Sequence, residues 1–191
     1  MVSKISTKEL ILRSFEELLQ QKSFEKIRIN EICSNCGVSR PTFYRYYKDK
    51  HELMDWVYIS RINKTKNENM DLSGWSNILK ELIRFTSENK VYFTKLIKVQ
   101  GQNSFESFMI DYGLQYSVES LKSIFPDGLP DQIYYSCRAY CIATTRLVLD
   151  WINDGMKMPK NQFYNCLCAC LPVNLNKYVH FDDQQIQQNA R

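Results

Sequence analysis

The chain has 191 residues, a formal net charge of +4, and only five prolines and six glycines. This length allows one sizeable hydrophobic core or two small ones. Because the net charge is small, the places where basic residues cluster say more about a partner than the total charge does. No cleavable signal opens the sequence, and no window approaches the run of about 18 apolar residues that spans a bilayer. We therefore expect a soluble, cytoplasmic protein with no membrane partner.

Apolar residues recur at spacings of three and four along the whole chain, which predicts an all-α protein. The first helix is expected to begin at Ser6, which forms a capping box with Glu9. Its apolar residues then follow at helical spacing: Leu10, Ile11, Phe15, Leu18 and Leu19.

Two short helices separated by a glycine turn are predicted next. The first has one apolar stripe, formed by Ile29, Ile32, Cys33 and Cys36. Gly37 can adopt the left-handed conformation that ends a helix, and Ser39 can cap the helix that follows. Pro41 falls in the first turn of that second helix, where its missing N–H costs little.

The second of these helices carries more polar and aromatic groups than a core helix tolerates. Residues 39–50 contain four Lys or Arg side chains and a single carboxylate. This concentration of charge on a helix after a short turn is typical of the helix-turn-helix element that enters the DNA major groove. The side chains that could reach bases or phosphates are Arg40, Thr42, Tyr44, Arg45, Tyr46, Lys48 and Lys50. Phe43 is expected to pack in the core, and for Tyr44 and Tyr46 both packing and binding stay open.

The stretch from Ser23 to Leu53 resembles the N-terminal DNA-binding domain of TetR-type transcriptional regulators. The matching features are Phe24, Ile32, Gly37-Val38-Ser39, Thr42-Phe43-Tyr44, Tyr46, Lys50 and Leu53. Two departures are Arg28, where the family commonly has a capping Thr or Ser, and the cysteines at 33 and 36, where it commonly has Ala. The resemblance implies DNA contacts at Arg40, Pro41, Thr42, Tyr44, Tyr46 and Lys50, and we add Asn30 and Ser39 to the candidates.

A third cap, at Asp49, is expected to restart the chain as a long helix that ends near Lys64. The polar run 65–71 then predicts a domain junction. We expect a helix-turn-helix domain over 1–64, a helical regulatory and dimerisation domain over 65–181, and a mobile tail over 182–191.

Five further helices are predicted from their apolar periodicity. They cover about 79–86, 92–97, 105–125, 131–153 and 161–178. Asp131 is a candidate cap for the fourth, and Pro172 should kink or end the fifth.

The helix predicted over 131–153 is apolar on most of its circumference. Tyr135, Ile142 and Leu149 lie opposite its main stripe, so we expect burial on two sides, the second against another subunit. The family resemblance also implies a homodimer, since TetR-type regulators generally dimerise through their last two helices as a four-helix bundle. In addition, the stretch 151–159 resembles a C-terminal subgroup that includes regulators of dihydroxyacetone-kinase operons.

Seven cysteines, an odd number, are expected to be reduced thiols. Cys33 and Cys36 are interpreted as packing residues, although a redox or metal pair is the alternative. Three cysteines cluster at 166, 168 and 170, but on a helix the middle one points away from the other two. We therefore predict no metal site and no cofactor.

The resemblance further implies a pocket for an effector in the second domain. The helical spacing favours ordinary core packing for each candidate lining residue, and these candidates are Phe105, Phe108, Met109, Tyr112, Tyr116 and Tyr140. With two histidines and no catalytic motif, an enzyme is not predicted. The function predicted is a ligand-responsive homodimeric repressor that binds a pseudo-palindromic double-stranded operator. The alternative is an activator that works with a protein co-activator instead of a small-molecule inducer.

Overall fold

The computed structural model describes residues 5–67, 75–99, 101 and 103–179, without the side chains of 61–67. Over these residues it contains nine α-helices, two short 3₁₀-helices and no strand, which confirms the all-α prediction.

The helices are numbered α1 to α9 in chain order. They are α1 Thr7–Gln21, α2 Ile29–Cys36, α3 Arg40–Tyr46, α4 Lys50–Asn67, α5 Trp75–Glu88, α6 Lys90–Leu96, α7 Phe105–Leu121, α8 Asp131–Asn153 and α9 Lys160–Ala169. The 3₁₀-helices are Phe24–Lys26 and Val173–Leu175.

The chain divides into two compact units. The N-terminal unit consists of Met1–Thr65 and Asn89–Phe105, and the C-terminal unit of Lys66–Glu88 and Glu106–Arg191. Compact units need not coincide with functional domains, so the boundaries at 64 and 181 stay predictions. The tail predicted over 182–191 lies outside the described residues.

The helix caps of the N-terminal unit follow the local sequence signals. Ser6 Oγ accepts the backbone N–H of Glu9, and Asp49 Oδ1 accepts those of His51 and Glu52. These caps confirm the predicted starts of α1 and α4, because side-chain oxygens satisfy N–H groups that have no partner within a helix.

The second segment of the N-terminal unit, Asn89–Phe105, is held by hydrogen bonds as well as by packing. Lys95 Nζ donates to the carbonyl oxygens of Leu19, Gln20 and Lys22 at the carboxyl end of α1. Tyr92 donates its hydroxyl to the carbonyl of Met54 at 3.1 Å. The last carbonyls of a helix have no hydrogen-bond donor within that helix. The Lys95 ammonium supplies donors to these carbonyls at the end of α1.

The C-terminal unit has its core between α7, α8 and the second 3₁₀-helix. The most deeply buried residues of this core are Leu121, Cys137 and Leu175.

Three predicted helix ends in the C-terminal unit are corrected by the structure. Helix α7 ends at Leu121 rather than near 125, and α8 has Pro130 as its N-cap, with Asp131 inside the first turn. Helix α9 ends at Ala169 and does not reach 178. This agrees with the prediction that Pro172 would end the helix, and Pro172 is the N-cap of the second 3₁₀-helix.

Leu149 is a further correction. It was expected on the outer face of α8 with Tyr135 and Ile142, but it is only 3 % exposed in the single chain. Tyr135 and Ile142 are 64 % and 43 % exposed. The solvent-exposed face of α8 is therefore narrower than the periodicity predicted, because Leu149 packs inside the unit.

Candidate nucleic-acid interface

Helix α2 is fixed against α1 by polar contacts across their interface. Ser14 donates its hydroxyl to the carbonyl of Ile32 at 2.8 Å. Asn35 Nδ2 donates to Ser14 Oγ at 3.1 Å and to Glu17 Oε2 at 2.9 Å. Because three side chains on two helices share these bonds, α2 has one defined position against α1.

Arg28 does not cap α2 with its side chain, but Glu31 completes the start of the helix. The backbone N–H of Arg28 donates to Glu31 Oε2 at 2.8 Å. Lys22 Nζ also bonds Glu31 Oε1, and both bonds lower the pKa of Glu31, that from Lys22 most. The sequence signal that could have found this contact is the Glu at the third helical position, which is half of a capping box.

The turn between α2 and α3 is the one that the sequence predicts. Gly37 has φ of 69°, the left-handed region that glycine favours. Ser39 Oγ then accepts the N–H of Thr42 at 3.2 Å and lies 2.9 Å from Thr42 Oγ1. A left-handed residue followed by a capped helix turns the chain sharply, so α3 begins at a defined angle to α2.

Helix α3 buries one residue and exposes most of the others. Phe43 is fully buried with its ring 5.8 Å from that of Tyr47, which confirms the prediction that it packs in the core. The candidate contacts Asn30, Ser39, Arg40, Pro41, Tyr44, Arg45 and Lys48 are all exposed, and Thr42 and Tyr46 are half-buried. The exposed side chains on and beside α3 can therefore reach a partner without moving the core.

Two arginines on this surface lie against tyrosine rings. Arg40 Nη2 donates to Tyr44 Oη at 3.4 Å, a contact that raises the pKa of Arg40. The guanidinium of Arg45 lies 5.1 Å from the centre of the Tyr46 ring. Such contacts restrict flexible arginine side chains before they meet a ligand.

Lys50 has different surroundings from the other basic candidates. Its Nζ donates to the carbonyls of Phe24, Glu25 and Ile27, at 2.9, 3.3 and 3.2 Å. Burial lowers its pKa. The ammonium thus braces the first 3₁₀-helix. Sequence reasoning missed this role because the contacts lie 23–26 residues away. A DNA contact for Lys50 stays a prediction.

The six candidate effector residues fall in different parts of the molecule. Phe105 is fully buried in the N-terminal unit, 5.8 Å from the Tyr58 ring and 5.7 Å from the Phe93 ring. The other five belong to the C-terminal unit: Phe108, Met109, Tyr112, Tyr116 and Tyr140. None of the six lines the cavity of about 250 Å³ between α5 and α9, so an effector role for them stays a prediction.

Tyr140 illustrates the packing alternative among those six. It is 4 % exposed, donates its hydroxyl to the Leu167 carbonyl at 2.9 Å and stacks on Trp75 at 5.7 Å. Burial raises its pKa. Each polar and apolar part of this side chain therefore has a structural partner.

The cysteines show no shared site within the described residues. No group of three or more His, Cys, Asp or Glu side chains there could hold a metal ion. Cys33 is buried, and burial raises the pKa of its thiol, which makes it less reactive. Cys166 and Cys170 are exposed and Cys168 is buried, as the helical spacing predicts.

None of the helices in the described part of the chain is long and apolar enough to cross a membrane.

Two family models match the chain. One, described as "Bacterial regulatory proteins, tetR family", matches residues 11–57, which include α2, the turn and α3. The other, described as "Transcriptional regulator C-terminal region", matches residues 73–171, more than half of the chain.

Individual relatives agree with this assignment. The chain is 26 % identical over 182 residues to the HTH-type dhaKLM operon transcriptional activator DhaS of Lactococcus lactis subsp. lactis (strain IL1403), covering 91 % of this chain and 95 % of the relative. A solved structure titled "Dihydroxyacetone kinase operon activator DhaS" has a TM-score of 0.59 at 24 % identity, covering 88 % of this chain and 97 % of that one.

A solved TetR transcriptional regulator from Rhodococcus sp. RHA1 also has a TM-score of 0.59, at 14 % identity, covering 90 % of this chain and 95 % of that one. At these identities the two structures show the fold alone. The sequence relative and the family models bear out both resemblances drawn from the sequence, including that to regulators of dihydroxyacetone-kinase operons. The chain belongs to the TetR family of bacterial regulatory proteins and is a DNA-binding transcriptional regulator.

Proposed function

We propose that this regulator acts as a homodimer whose two α3 helices bind the half-sites of a pseudo-palindromic operator in response to an effector. The observation that carries the proposal is the surface around α3, where Arg40 and Arg45 are exposed on a capped helix and Lys48 is exposed just after it. We also propose a cytoplasmic location, because a regulator of this kind needs access to chromosomal DNA.

The exposed basic side chains on and beside α3 fall into two groups, one suited to base edges and one suited to phosphates. Arg40 lies in the first turn of α3, the part of a recognition helix that contacts base edges, and a guanidinium can donate two bonds to guanine. Tyr44 supports that role because it accepts a bond from Arg40 and so limits where the guanidinium points. Arg45 and Lys48 suit phosphates, which need charge but no directional pattern.

A second set of exposed residues supports the dimer. Four small or apolar residues are exposed on α8 and three at the end of the chain's last α-helix: Tyr135, Ala139, Ile142 and Ala143 on α8, Cys166 and Ala169 on α9, and Cys170 directly after it. Small and apolar side chains along two helices form a face that a monomer exposes to water at a cost. A two-fold axis beside them would bury both copies of the face at once.

The dimer also fits what an operator requires. Two recognition helices that read successive turns of one DNA face need a separation of about 34–36 Å or a multiple of it. A four-helix bundle of α8 and α9 from two chains is rigid enough to hold such a separation, because packed helices do not deform continuously.

Two regulatory outcomes are candidates. The first is repression, relieved when an effector binds. The second is activation with a protein co-activator, and the specific observation that favours it is the relative from Lactococcus lactis, which carries the name of a transcriptional activator. A promoter fusion in cells with and without the gene decides: higher expression without the gene means repression, and lower expression means activation.

Gel-shift titration against the DNA upstream of its own gene tests the binding proposal. We expect specific binding that weakens steeply as salt rises, because each phosphate contact releases counterions. Binding no tighter than to a random duplex would contradict it.

Three substitutions sharpen this experiment. Arg40→Ala should reduce the preference for operator over random DNA by about 1–3 kcal/mol, whereas Lys48→Ala should weaken both alike. Lys26→Ala removes the same charge from an exposed position outside α3 and serves as the control. Equal effects of all three would mean that α3 does not read the operator.

A further inference from the structure

The end of α1 is held by an ammonium group that comes from far along the chain. Lys95 Nζ in α6 donates to three carbonyls there, those of Leu19, Gln20 and Lys22, the last two at 2.8 and 3.3 Å. An ammonium has three N–H donors, so these carbonyls match it in number. Lys95 is half-buried, which limits competition from water. One side chain of α6 thus fixes the carboxyl end of α1, and helix ends are the parts of a helix that fray.

Lys22 connects this fixed end of α1 to α2. It is the C-cap of α1, and its N–H donates to the carbonyl of Leu18 at 3.1 Å while its own carbonyl accepts from Lys95. Its ammonium bonds Glu31 Oε1 in the first turn of α2. Glu31 Oε2 in turn accepts the N–H of Arg28, the N-cap of α2. Lys95 and the start of α2 are therefore joined through two residues.

The contact at Glu31 supplies a second point that fixes the direction of α2. The bonds among Ser14, Asn35 and the Ile32 carbonyl hold this helix from its middle to its carboxyl end. One point leaves a helix free to tilt, whereas two separated points along its axis define its direction. Because the turn at Gly37 sets α3 at a defined angle to α2, a tilt of α2 would move α3 with it.

We propose that Lys95 is a positioning residue for DNA binding, which fixes the end of α1 and, through Lys22 and Glu31, the direction in which α2 presents α3. Lys95 belongs to the segment Asn89–Phe105 and to none of the helices α1 to α4, so it acts through other residues and not by touching DNA. The inference rests on the proposed reading of the operator by α3. Its first step is measured without DNA, so failure of this path and failure of operator recognition are separate results.

Hydrogen exchange in the absence of DNA tests the path inside the protein. Lys95→Met removes the ammonium and keeps the apolar stem. Lys98→Met, the control, removes the same charge from an exposed position of the same segment, outside these bonds. In Lys95→Met the amides of 28–32 should exchange about threefold faster or more, because the first turn of α2 loses its support, while those of α8 keep their wild-type rates. Unchanged exchange over 28–32, or an equal rise in α8, would refute the path.

Operator binding tests the consequence for DNA. We expect Lys95→Met to raise Kd for the operator by about three- to tenfold. Its Kd for a random duplex should rise no more than that of Lys98→Met, because nonspecific binding needs charge but not one direction of α3. Wild-type operator affinity in Lys95→Met, or equal losses on both duplexes, would mean that Lys95 does not position α3.

A double-mutant cycle shows whether Lys95 acts through Glu31. Glu31→Gln removes the charge that pairs with Lys22 but keeps the size of the side chain. Lys95→Gln, which retains N–H donors, replaces Lys95→Met in every comparison if the latter does not fold. If both residues belong to one path, the double variant should lose little more operator affinity than the more strongly affected single variant. Fully additive losses would mean that Lys95 acts by a route without Glu31, and the proposal would be wrong.

Discussion

Helices α3 and α8 both expose a surface that suits a partner, but the two surfaces differ in chemistry. Helix α3 has seven residues and buries Phe43 alone, with Arg40 and Arg45 on its exposed side. Helix α8 has 23 residues and buries ten, and its exposed stripe includes Tyr135 and Ile142. The first surface is cationic, and the second has apolar side chains with two exposed arginines, Arg138 and Arg146, beside them.

This difference shows how exposed chemistry identifies a class of partner. A cationic surface gains free energy when it releases counterions from a polyanion, and this suits DNA. An apolar stripe gains free energy when it leaves water, and this suits a second protein surface. Each helix also needs a buried side that fixes its position, and that side is one phenylalanine in α3 and ten residues in α8.

The largest expected effect is on the buried side of α3. Phe43→Ala should lower the free energy of unfolding by about 3–5 kcal/mol, because it leaves a cavity where the ring packed. Tyr44→Ala, on the exposed side, should lower it by about 0.5 kcal/mol or less. Urea unfolding of both variants measures the difference. Equal losses would mean that α3 does not have one buried and one exposed side.

The next effect concerns the exposed side of α8. Ile142→Glu would place an unpaired carboxylate in the proposed dimer interface and should weaken dimerisation by about 3 kcal/mol or more. Sedimentation equilibrium gives the dimer dissociation constant, and operator binding should weaken in parallel.

Two comparisons make this test specific. Ser123→Glu adds the same charge at an exposed position outside α8 and α9 and should leave the dimer intact. Leu149→Glu is unsuitable, because Leu149 is already buried in the single chain and its loss would unfold the unit. A wild-type protein that is monomeric at micromolar concentration yet binds its operator tightly would overturn the dimer proposal.

A smaller effect is expected at Asp55 in α4. Burial raises the pKa of its carboxyl to about 7, and the nearby Asp49 and Glu52 carboxylates add to the shift. Its Oδ1 is buried without a hydrogen-bond partner among the described residues. Because the folded state holds this proton more tightly than the unfolded state, stability falls as pH rises from about 4 to about 7.

Asp55→Asn removes that cost and should therefore stabilise the protein by about 1–3 kcal/mol at pH 8 but little at pH 4. Urea unfolding at both pH values, followed by tryptophan fluorescence, measures the gain. Glu25→Gln removes an exposed carboxylate from the same unit and should give no such pH dependence. A gain that is equal at the two pH values would contradict the assignment.

The smallest effect is expected for the thiols beside the recognition helix. Cys33 is buried and Cys36 half-buried in α2, so their joint replacement by Ala should leave operator affinity within about threefold. Gel shifts before and after mild oxidation check this, with the Cys166 and Cys170 double alanine variant as the control for exposed thiols. Loss of binding in oxidised wild type, with the Cys33 and Cys36 variant resistant, would instead reveal a redox switch.

Local signals in the sequence predicted much of the N-terminal unit. Ser6, Ser39 and Asp49 cap the helices that they precede, and Gly37 has the left-handed backbone that its position predicts. These features depend on bonds to residues three or fewer positions away or on a single φ angle. Neighbouring residues are therefore sufficient to predict them.

The candidate sites could be predicted only in part. Exposure agrees with a binding role for Arg40, Arg45 and Lys48, whereas the ammonium of Lys50 bonds three carbonyls inside the unit. The cavity between α5 and α9 had no sequence signal, since its lining residues belong to two helices that are distant in the chain.

The helical periodicity, the caps, the turn and the basic surface of α3 could be predicted without a structure, because each depends on a few adjacent residues. Tertiary structure alone decided that Lys95 would satisfy the end of α1, some 73–76 residues away, and that Asn89–Phe105 would join the N-terminal unit. It also decided that Leu149 would face inwards. Helical spacing predicts which residues share a face of a helix. Which of those residues are buried depends on how other helices pack against that face.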